Sequence, residues 1–207
     1  MILMFIGPSS SGKDTFYKET AIKYGLNNII LHTTRPIRNG EINGQTYYFV
    51  SKEKLDEMEK NNLLIERRDY NTIHGIWSYA TSITTIDNNL NYITLNTWEG
   101  YQKFIEYFGK DYVIPFYFML DDGIRLERAI EREKKQDNPK YQELCRRFLA
   151  DINDFSIDYI MKYTPYIIDN NGTIEETKKQ IDEGMKRVLK RWSYSSPFSS
   201  IFIIPIP

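Results

Sequence analysis

The sequence predicts a three-layer α/β fold built on a parallel sheet, interrupted by a small mixed α+β insertion. Three observations predict it. An entirely apolar run, Met1–Ile6, stops at Gly7 and is followed by an amphipathic helical pattern, which is typical of a buried parallel strand and its crossover helix. The same strand–helix rhythm returns from Asn91 onward. Between these parts, residues 34–81 carry short strand patterns around a polar helix.

Each core element is predicted from its own pattern. The first helix, Lys13–Tyr24, carries apolar residues on one face and is followed by Gly25, a residue that commonly ends helices. A capping box formed by Thr173 and Glu176 opens the last helix, which is expected to reach about Trp192. The other core strands and helices are predicted at Asn28–Thr33, Asn91–Leu95, Glu99–Phe108, Tyr112–Leu120, Gly123–Gln136, Tyr141–Tyr163 and Tyr166–Asp169.

The insertion is predicted to hold three short strands and one helix. The helix lies near Lys52–Asn61, with Ser51 as its N-cap, and the strands are Thr46–Ser51, Leu63–Asp69 and Ile73–Tyr79. The predicted organisation is a core of residues 1–33 and 82–192, an insertion of residues 34–81 and an apolar, proline-ended tail of residues 193–207. For the tail, docking on the domain, contact with a partner and disorder are all open.

Composition argues against several functional classes. The chain has 207 residues, a length that fits one such domain, and a net charge of -1, which gives no general attraction to nucleic acid or to an anionic membrane. We therefore expect neither as a partner, and either a monomer or a homodimer. The single cysteine, Cys145, excludes an intrachain disulfide and predicts a cytoplasmic location. With only His32 and His74 besides, a structural zinc site is not expected.

The clearest motif is G-P-S-S-S-G-K-D-T at residues 7–15, which contains the G-x-x-x-x-G-K core of a P-loop. Its glycines let the backbone curl so that N–H groups point toward a phosphate, and the following helix adds its positive end. Lys13 is predicted to bridge the β- and γ-phosphates of ATP as the reaction proceeds. The flanking strand and helix favour this interpretation over an incidental glycine-rich turn. The predicted ATP-phosphate-binding residues are Gly7, Ser10, Ser11, Gly12, Lys13, Asp14 and Thr15.

The residue after the lysine departs from the usual motif. A Ser or Thr normally stands there and its hydroxyl binds Mg²⁺, whereas this chain has Asp14. Either Thr15 takes that role or Asp14 holds the ion through water. Mg²⁺ is the expected cofactor, with ATP as co-substrate.

A second motif lies in the segment Thr33–Ser51. Arg35 and Arg38, with Tyr47 beyond them, suit a phosphate held by forked hydrogen bonds and a phenol, although a solvated basic turn is the alternative for an isolated pair. Together with the preceding P-loop, the segment resembles the guanylate kinase family, which carries T-T-R-x-P-R-x-G-E-x-x-G-x-x-Y-x-F-V-S. The proline, Pro36, stands one place early. The resemblance covers most of the chain.

This resemblance implies a P-loop kinase with a doubly wound core, a nucleoside-monophosphate-binding insertion and a mobile helical lid near residues 125–150. The implied partners are ATP and a nucleoside monophosphate, GMP first, whose phosphate would be gripped by Arg35, Arg38 and Tyr47. Leu64-Ile65-Glu66 is similar to the family's F-x-E, so Glu66 would accept hydrogen bonds from the guanine edge. Residues 75–81 resemble G-N-Y-Y-G-T, which makes Tyr79 a second phosphate-binding tyrosine.

The lid is expected in the charged helical stretches around Asn138-Pro139. The resemblance assigns the arginines that close over the phosphates to Arg132 and to either Arg146 or Arg147, all in catalytic roles beside Lys13. The alternative is a solvated helix on which these arginines pair with neighbouring glutamates.

Two base-reading positions depart from the family. Leu31 stands where the family has a serine, and the D-x-D-x-x-G segment aligns with Leu95-Asn96-Thr97, so that both aspartates are replaced. Thr97 offers one acceptor in place of the second aspartate, and compensation by Asn96 or Glu99 is left open. A site that hydrogen-bonds a base discriminates strongly only when its polar partners are present. The alternatives to GMP phosphorylation are therefore another nucleoside monophosphate, a phosphoribosyl compound, or a non-catalytic binding domain. Retention of Lys13 disfavours the last.

Overall fold

The computed structural model describes residues 1–38, 40–72 and 75–195, and within them the chain is an α/β protein of seven α-helices and nine strands. The predicted α/β class with a parallel sheet is confirmed. The chain forms two compact units. The first contains Met1–Ile6 and Lys13–Pro115, and the second contains Gly7–Gly12 and the chain from Phe116 onward.

Parallel strands form the centre of the first unit. Strand β1 (Ile2–Ile6) pairs with β7 (Tyr92–Asn96), which in turn pairs with β2 (Asn27–Asn28). All five side chains of β1 are buried, which explains why its sequence is apolar without alternation. Helices α1 and α3 belong to the same unit and span Lys13–Lys23 and Trp98–Phe108.

The first unit also contains a mixed four-stranded sheet. Its strand order is β4-β3-β6-β5, in which β3 runs parallel to β4 and antiparallel to β6, and β5 and β6 form an antiparallel pair. Helix α2 is capped as predicted, because the Ser51 hydroxyl accepts a hydrogen bond from the backbone N–H of Lys54 at 3.2 Å. The bounds are β3 His32–Thr33, β4 Tyr48–Phe49, α2 Lys52–Lys60, β5 Leu64–Thr72 and β6 Gly75–Ser82.

The second unit has a parallel strand pair and four helices. The later part of β8 (Val113–Met119) pairs with β9 (Tyr166–Asp169), from Phe116 opposite Tyr166 to Met119 opposite Asp169. The predicted capping box is confirmed, since Thr173 and Glu176 exchange backbone-to-side-chain hydrogen bonds of 2.8 and 3.2 Å. The helices are α4 Asp122–Lys134, α5 Tyr141–Asp154, α6 Ile157–Tyr163 and α7 Ile174–Ser195.

Two predicted elements are wrong. The strand at Asn28–Thr33 is instead two short strands, β2 and β3, which belong to different sheets. The helix at Tyr141–Tyr163 is interrupted at Ser156, whose extended backbone (φ -61°, ψ 155°) occupies the N-cap position of α6. Serine is common at N-cap positions, although the Ser156 side chain makes no capping hydrogen bond with α6.

Other boundaries shift by a few residues. The first insertion strand shrinks to Tyr48–Phe49, and the last helix continues to Ser195. Two predictions fall partly outside the described residues: Ile73, at the start of a predicted strand, and residues 196–207 of the tail. Within the described part of the chain, every helix is too short or too polar to cross a lipid bilayer.

Candidate functional site

The phosphate loop, Gly7–Gly12, has the curled backbone that its glycines predict. Ser10 has a φ of +65° and Gly12 a φ of +88°, both in the left-handed region. For a serine this conformation costs roughly 1–2 kcal/mol, and such strain is concentrated at functional sites. Gly12 has a second constraint, because a Cβ there would overlap the side-chain amide of Asn170. The loop conformation is therefore held by its surroundings.

Asn170 is one of the residues that hold the loop, and the sequence patterns do not single it out. It is buried directly after β9, where its Nδ2 donates to the Ser11 carbonyl at 2.7 Å and its Oδ1 accepts from the Thr177 hydroxyl at 2.9 Å. The available signal was its position, since polar residues just past the carboxyl end of a parallel strand commonly serve binding sites.

Of the predicted lid arginines, Arg132 contacts the loop. Its Nη2 donates to the Ser10 hydroxyl at 3.1 Å, and one turn earlier on α4 the Arg128 guanidinium lies beside Gly12. This face of α4 therefore brings positive charge to the loop. Within the loop, the fully buried Ser11 hydroxyl makes no hydrogen bond among the described residues.

Arg146 and Arg147 follow the alternative of a solvated, paired helix. Arg146 forms two hydrogen bonds of 2.7 Å with Glu143, and Nε of Arg147 lies 3.7 Å from the same carboxylate. The hydrogen bond from Arg146 lowers the pKa of Glu143 below its usual value. Both arginines are exposed.

Lys13, Asp14 and Thr15 form the first turn of α1. Lys13 is partly buried, while Asp14 and Thr15 are exposed. Among the described residues, no cluster of three or more His, Cys, Asp and Glu side chains is suited to hold a metal. The carboxylate of Asp14 and the hydroxyl of Thr15 are hard oxygen donors, and Mg²⁺ in nucleotide sites is commonly bound by one or two such groups together with phosphate oxygens. The residues present therefore fit Mg²⁺ held jointly with a nucleotide.

The arginine cluster of the first unit consists of Arg35, Glu41, Tyr47 and Tyr79. The buried Arg35 guanidinium forms a two-pronged pair with Glu41, through Nη2–Oε1 at 2.6 Å and Nη1–Oε2 at 3.0 Å. Its Cζ lies 5.4 Å from the centre of the Tyr47 ring, which packs edge-on against Tyr79 at 5.7 Å. The structure thus brings together three residues predicted to bind the acceptor phosphate.

Electrostatics keeps this cluster charged. The hydrogen bond from Arg35 lowers the pKa of Glu41 below its ordinary value, and the same bond raises the pKa of Arg35 despite the opposing effect of burial. Burial raises the pKa of Tyr47, so its phenol stays protonated at neutral pH and can donate a hydrogen bond. The cluster therefore holds the Arg35–Glu41 ion pair in a fixed position beside a phenolic donor over the neutral range.

Arg38 and Glu41 have unequal roles in the turn. The Arg38 backbone N–H donates to Glu41 Oε2 at 2.7 Å, while its side chain is exposed. Glu41 therefore fixes both the Arg35 side chain and the turn that carries Arg38, a positioning role that the motif analysis did not assign. The motif contains both residues, six positions apart, but their spacing does not indicate that one orients the other.

Glu66 lies in a network with Arg68, Thr81 and Asn96, here called the Glu66 network. Oε1 accepts hydrogen bonds from the Thr81 hydroxyl at 3.0 Å, from Arg68 at 3.1 Å and from the Asn96 amide at 3.5 Å. Nε of Arg68 lies 3.0 Å from Oε2 as an ion pair without hydrogen-bond alignment. The carboxylate predicted to read a base is therefore buried and partly neutralised within its own unit.

Thr97 serves as the N-cap of α3, a task that uses the hydroxyl predicted to read a base. Its hydroxyl accepts from the Gly100 N–H at 3.2 Å. The neighbouring Asn96 reaches the Glu66 network instead, and its Oδ1 accepts from the Thr97 N–H at 2.9 Å. Asn96 and Arg68 are the residues that the sequence analysis did not place here.

Replacing Gly100 by alanine is expected to lower the free energy of unfolding. A Cβ at Gly100 would overlap the Asn96 side chain, so the amide must leave Glu66, and overpacking of this kind costs roughly 1–3 kcal/mol. Chemical denaturation measures the change, with Glu99→Ala on the exposed side of the same helix as control. Helix propensity alone predicts the opposite sign, so a variant as stable as the wild type would contradict the crowding.

Comparison with known proteins points to one family. The family model described as guanylate kinase matches residues 1–93. Guanylate kinase of Prochlorococcus marinus is 27% identical over 91% of this chain and 95% of its own length. Guanylate kinase of Lactobacillus johnsonii is 35% identical, and that alignment spans 44% of either chain. The crystal structure of guanylate kinase from Anaplasma phagocytophilum covers 96% of both chains with a TM-score of 0.57 and 19% identity, which shows a shared fold.

Proposed function

Because the chain belongs to the guanylate kinase family, we propose that it is an ATP-dependent nucleoside monophosphate kinase that converts ATP and GMP to ADP and GDP. As a phosphotransferase it would take a phosphate group as acceptor. A cytoplasmic location, where both substrates occur, is part of the proposal.

The observation that carries this proposal is the arginine cluster. Loops like Gly7–Gly12 occur in many nucleotide-binding proteins and leave the acceptor unspecified. A buried arginine fixed by Glu41 beside two tyrosines, with Arg38 one turn away, suits an anionic, phosphate-bearing acceptor. We assign Arg35, Arg38, Tyr47 and Tyr79 to that phosphate.

The binding site for ATP, the phosphate donor, is proposed to consist of the phosphate loop and the residues next to it. Loop N–H groups and the Lys13 ammonium would hold the ATP phosphates, and Arg132 would add charge at Ser10. An oxygen of the acceptor phosphate attacks the γ-phosphorus in line, the bond to the β–γ bridging oxygen breaks, and ADP leaves. No covalent enzyme intermediate is needed, because positioning and charge neutralisation provide the catalysis.

Mg²⁺ fits this assignment. Asp14 and Thr15 would hold it together with phosphate oxygens, and the ion would neutralise charge on the nucleotide.

The Glu66 network supports a second candidate, a kinase of the same family with a different acceptor. Glu66 is buried and already engaged by Arg68, Thr81 and Asn96. A base that it reads has to share the carboxylate with a cation two residues away. This favours an altered base preference, with another nucleoside monophosphate or a phosphorylated ribose as acceptor.

A panel of acceptors tests both candidates. ADP release would be measured with ATP, Mg²⁺ and each of GMP, dGMP, AMP, UMP, CMP and ribose 5-phosphate. We expect turnover to be highest with GMP. Turnover confined to another nucleotide or to the sugar would replace GMP by the second candidate. Tight GMP binding without ADP release from any acceptor would overturn the kinase assignment in favour of a binding domain.

A further inference from the structure

Three successive serines of the phosphate loop are each anchored to a different element of the second unit. The Ser10 hydroxyl contacts Arg132 of α4, and the Ser11 carbonyl contacts Asn170 after β9. The Ser9 backbone N–H donates to Oδ2 of Asp151, in the last turn of α5, at 2.8 Å. The contact with Asp151 places a carboxylate beside a loop that is proposed to bind the anionic phosphates of a nucleotide.

We infer that Asp151 is a positioning residue for nucleotide binding, which fixes the phosphate loop through the Ser9 amide, and that Arg125 holds Asp151 in place. The inference rests on the proposed function only in taking the loop as the nucleotide site.

Arg125 is built into the protein as a buried cation. Its side chain is 2% exposed, and its Nη1 lies 3.0 Å from the same Asp151 oxygen that accepts from Ser9. Nη2 donates to Asp122 at 2.8 Å, and the guanidinium lies 3.9 Å from the centre of the Phe148 ring. A buried arginine that lost one of its two carboxylates would be left incompletely paired, so its geometry is strongly fixed.

The arrangement explains how a carboxylate is tolerated at this loop. An isolated negative charge at Ser9 would repel the phosphates of a nucleotide, whereas the ion pair with Arg125 offsets that charge. The hydrogen bond to Asp151 also fixes the position of Ser9, directly before Ser10. The φ of Ser10, +65°, is unfavourable in a free chain. Asp151 therefore favours a loop that is already curled before the nucleotide arrives, which reduces the ordering cost of binding.

Asp151→Ala and Asp151→Asn test the anchor. Alanine removes the acceptor, whereas the amide oxygen of asparagine can still accept from Ser9. We expect the Kd of ATP to rise about ten-fold for alanine and less for asparagine, with the KM of GMP unchanged, since one charge-assisted hydrogen bond is lost. Asp158→Ala, an exposed aspartate on α6, is the matched control and is expected to leave both values unchanged.

A double-mutant cycle on Arg125 and Asp151 separates an effect on the position of the phosphate loop from a general loss of protein stability. Arg125→Met alone leaves Asp151 unpaired beside the loop and is expected to weaken ATP binding more than Asp151→Asn does. Adding Asp151→Asn to Arg125→Met removes the unpaired negative charge and is expected to recover part of the ATP affinity. A double variant with weaker ATP binding than Arg125→Met would overturn the role given to Arg125.

Hydrogen–deuterium exchange in the absence of nucleotide provides a readout that does not depend on catalysis. The Ser9 amide is expected to exchange about ten times faster in Asp151→Ala than in the wild type, because its acceptor is gone. Unchanged exchange, or ATP and GMP affinities that fall together with Tm, would refute the inference. If the Ser9 amide exchanges faster in Asp151→Ala but the wild-type protein binds no ATP, the proposed function is refuted. The role of Asp151 in holding the loop through Ser9 is then still supported.

Discussion

Lys13→Ala is expected to lower the rate of phosphoryl transfer by about 10³-fold, the upper range for loss of one donor at a charge-developing centre. Lys13 is the first residue of α1, directly after the phosphate loop, and is partly buried. Its ammonium can follow negative charge as it develops between the β- and γ-phosphates, so its removal acts on the transition state more than on the ground state. Steady-state kinetics should therefore show a fall in kcat that exceeds any rise in the KM of ATP.

Lys18→Ala is the matched control for this experiment. Lys18 lies on the same helix and is exposed, so the substitution removes an equal charge without altering the start of α1. We expect full activity from it. A Lys13 variant that retains more than about a tenth of wild-type kcat would show that the loop does not act as a phosphate-transfer site, since P-loop chemistry relies on that cation.

Arg35→Ala is expected to raise the KM of the acceptor about 100-fold while leaving the KM of ATP nearly unchanged. Two effects combine. The fixed guanidinium is lost, and Glu41, which pairs with it at 2.6 Å, becomes an uncompensated carboxylate where an anion is expected to bind. The exposed Arg38 side chain can compensate only in part, because Glu41 fixes its backbone and not its guanidinium.

Glu41→Gln separates the two effects. It keeps Arg35 but removes the carboxylate that orients it, so we expect a smaller, roughly several-fold rise in the KM of the acceptor. Arg187→Ala, an exposed arginine of α7, controls for loss of charge alone. Equal effects of Arg35→Ala on both substrates would indicate a structural role for Arg35 and contradict its assignment to the acceptor phosphate.

The features that the sequence predicted correctly are locally encoded. Strand β1, the curled backbone of residues 7–12 and α1 follow one another without interruption, so a buried run, a glycine pattern and a helical face are enough to predict them. The Ser51 cap and the Thr173 capping box are likewise decided within four residues. The pairing of Arg35 with Glu41 spans six positions, and the motif contained both residues without indicating that one would orient the other.

The features that it missed depend on the partners that folding brings together. Asn170 reaches Ser11 across 159 positions and Asp151 reaches Ser9 across 142, and no periodicity relates such residues. The wrong strand at Asn28–Thr33 has the same origin. The pattern of this segment suits a strand, but its two ends belong to different sheets. Only the pairing with other strands decides where β2 ends and β3 begins.

Ser10 has opposite effects on the stability of the folded protein and on the order of the unliganded loop. A glycine at this position would adopt the left-handed backbone freely and relieve the steric penalty, yet it would also widen the ensemble of conformations open to the unliganded loop. The hydroxyl that receives Arg132 would be absent as well. The serine thus exchanges some folding stability for a narrower set of apo conformations, a trade-off frequent in binding loops.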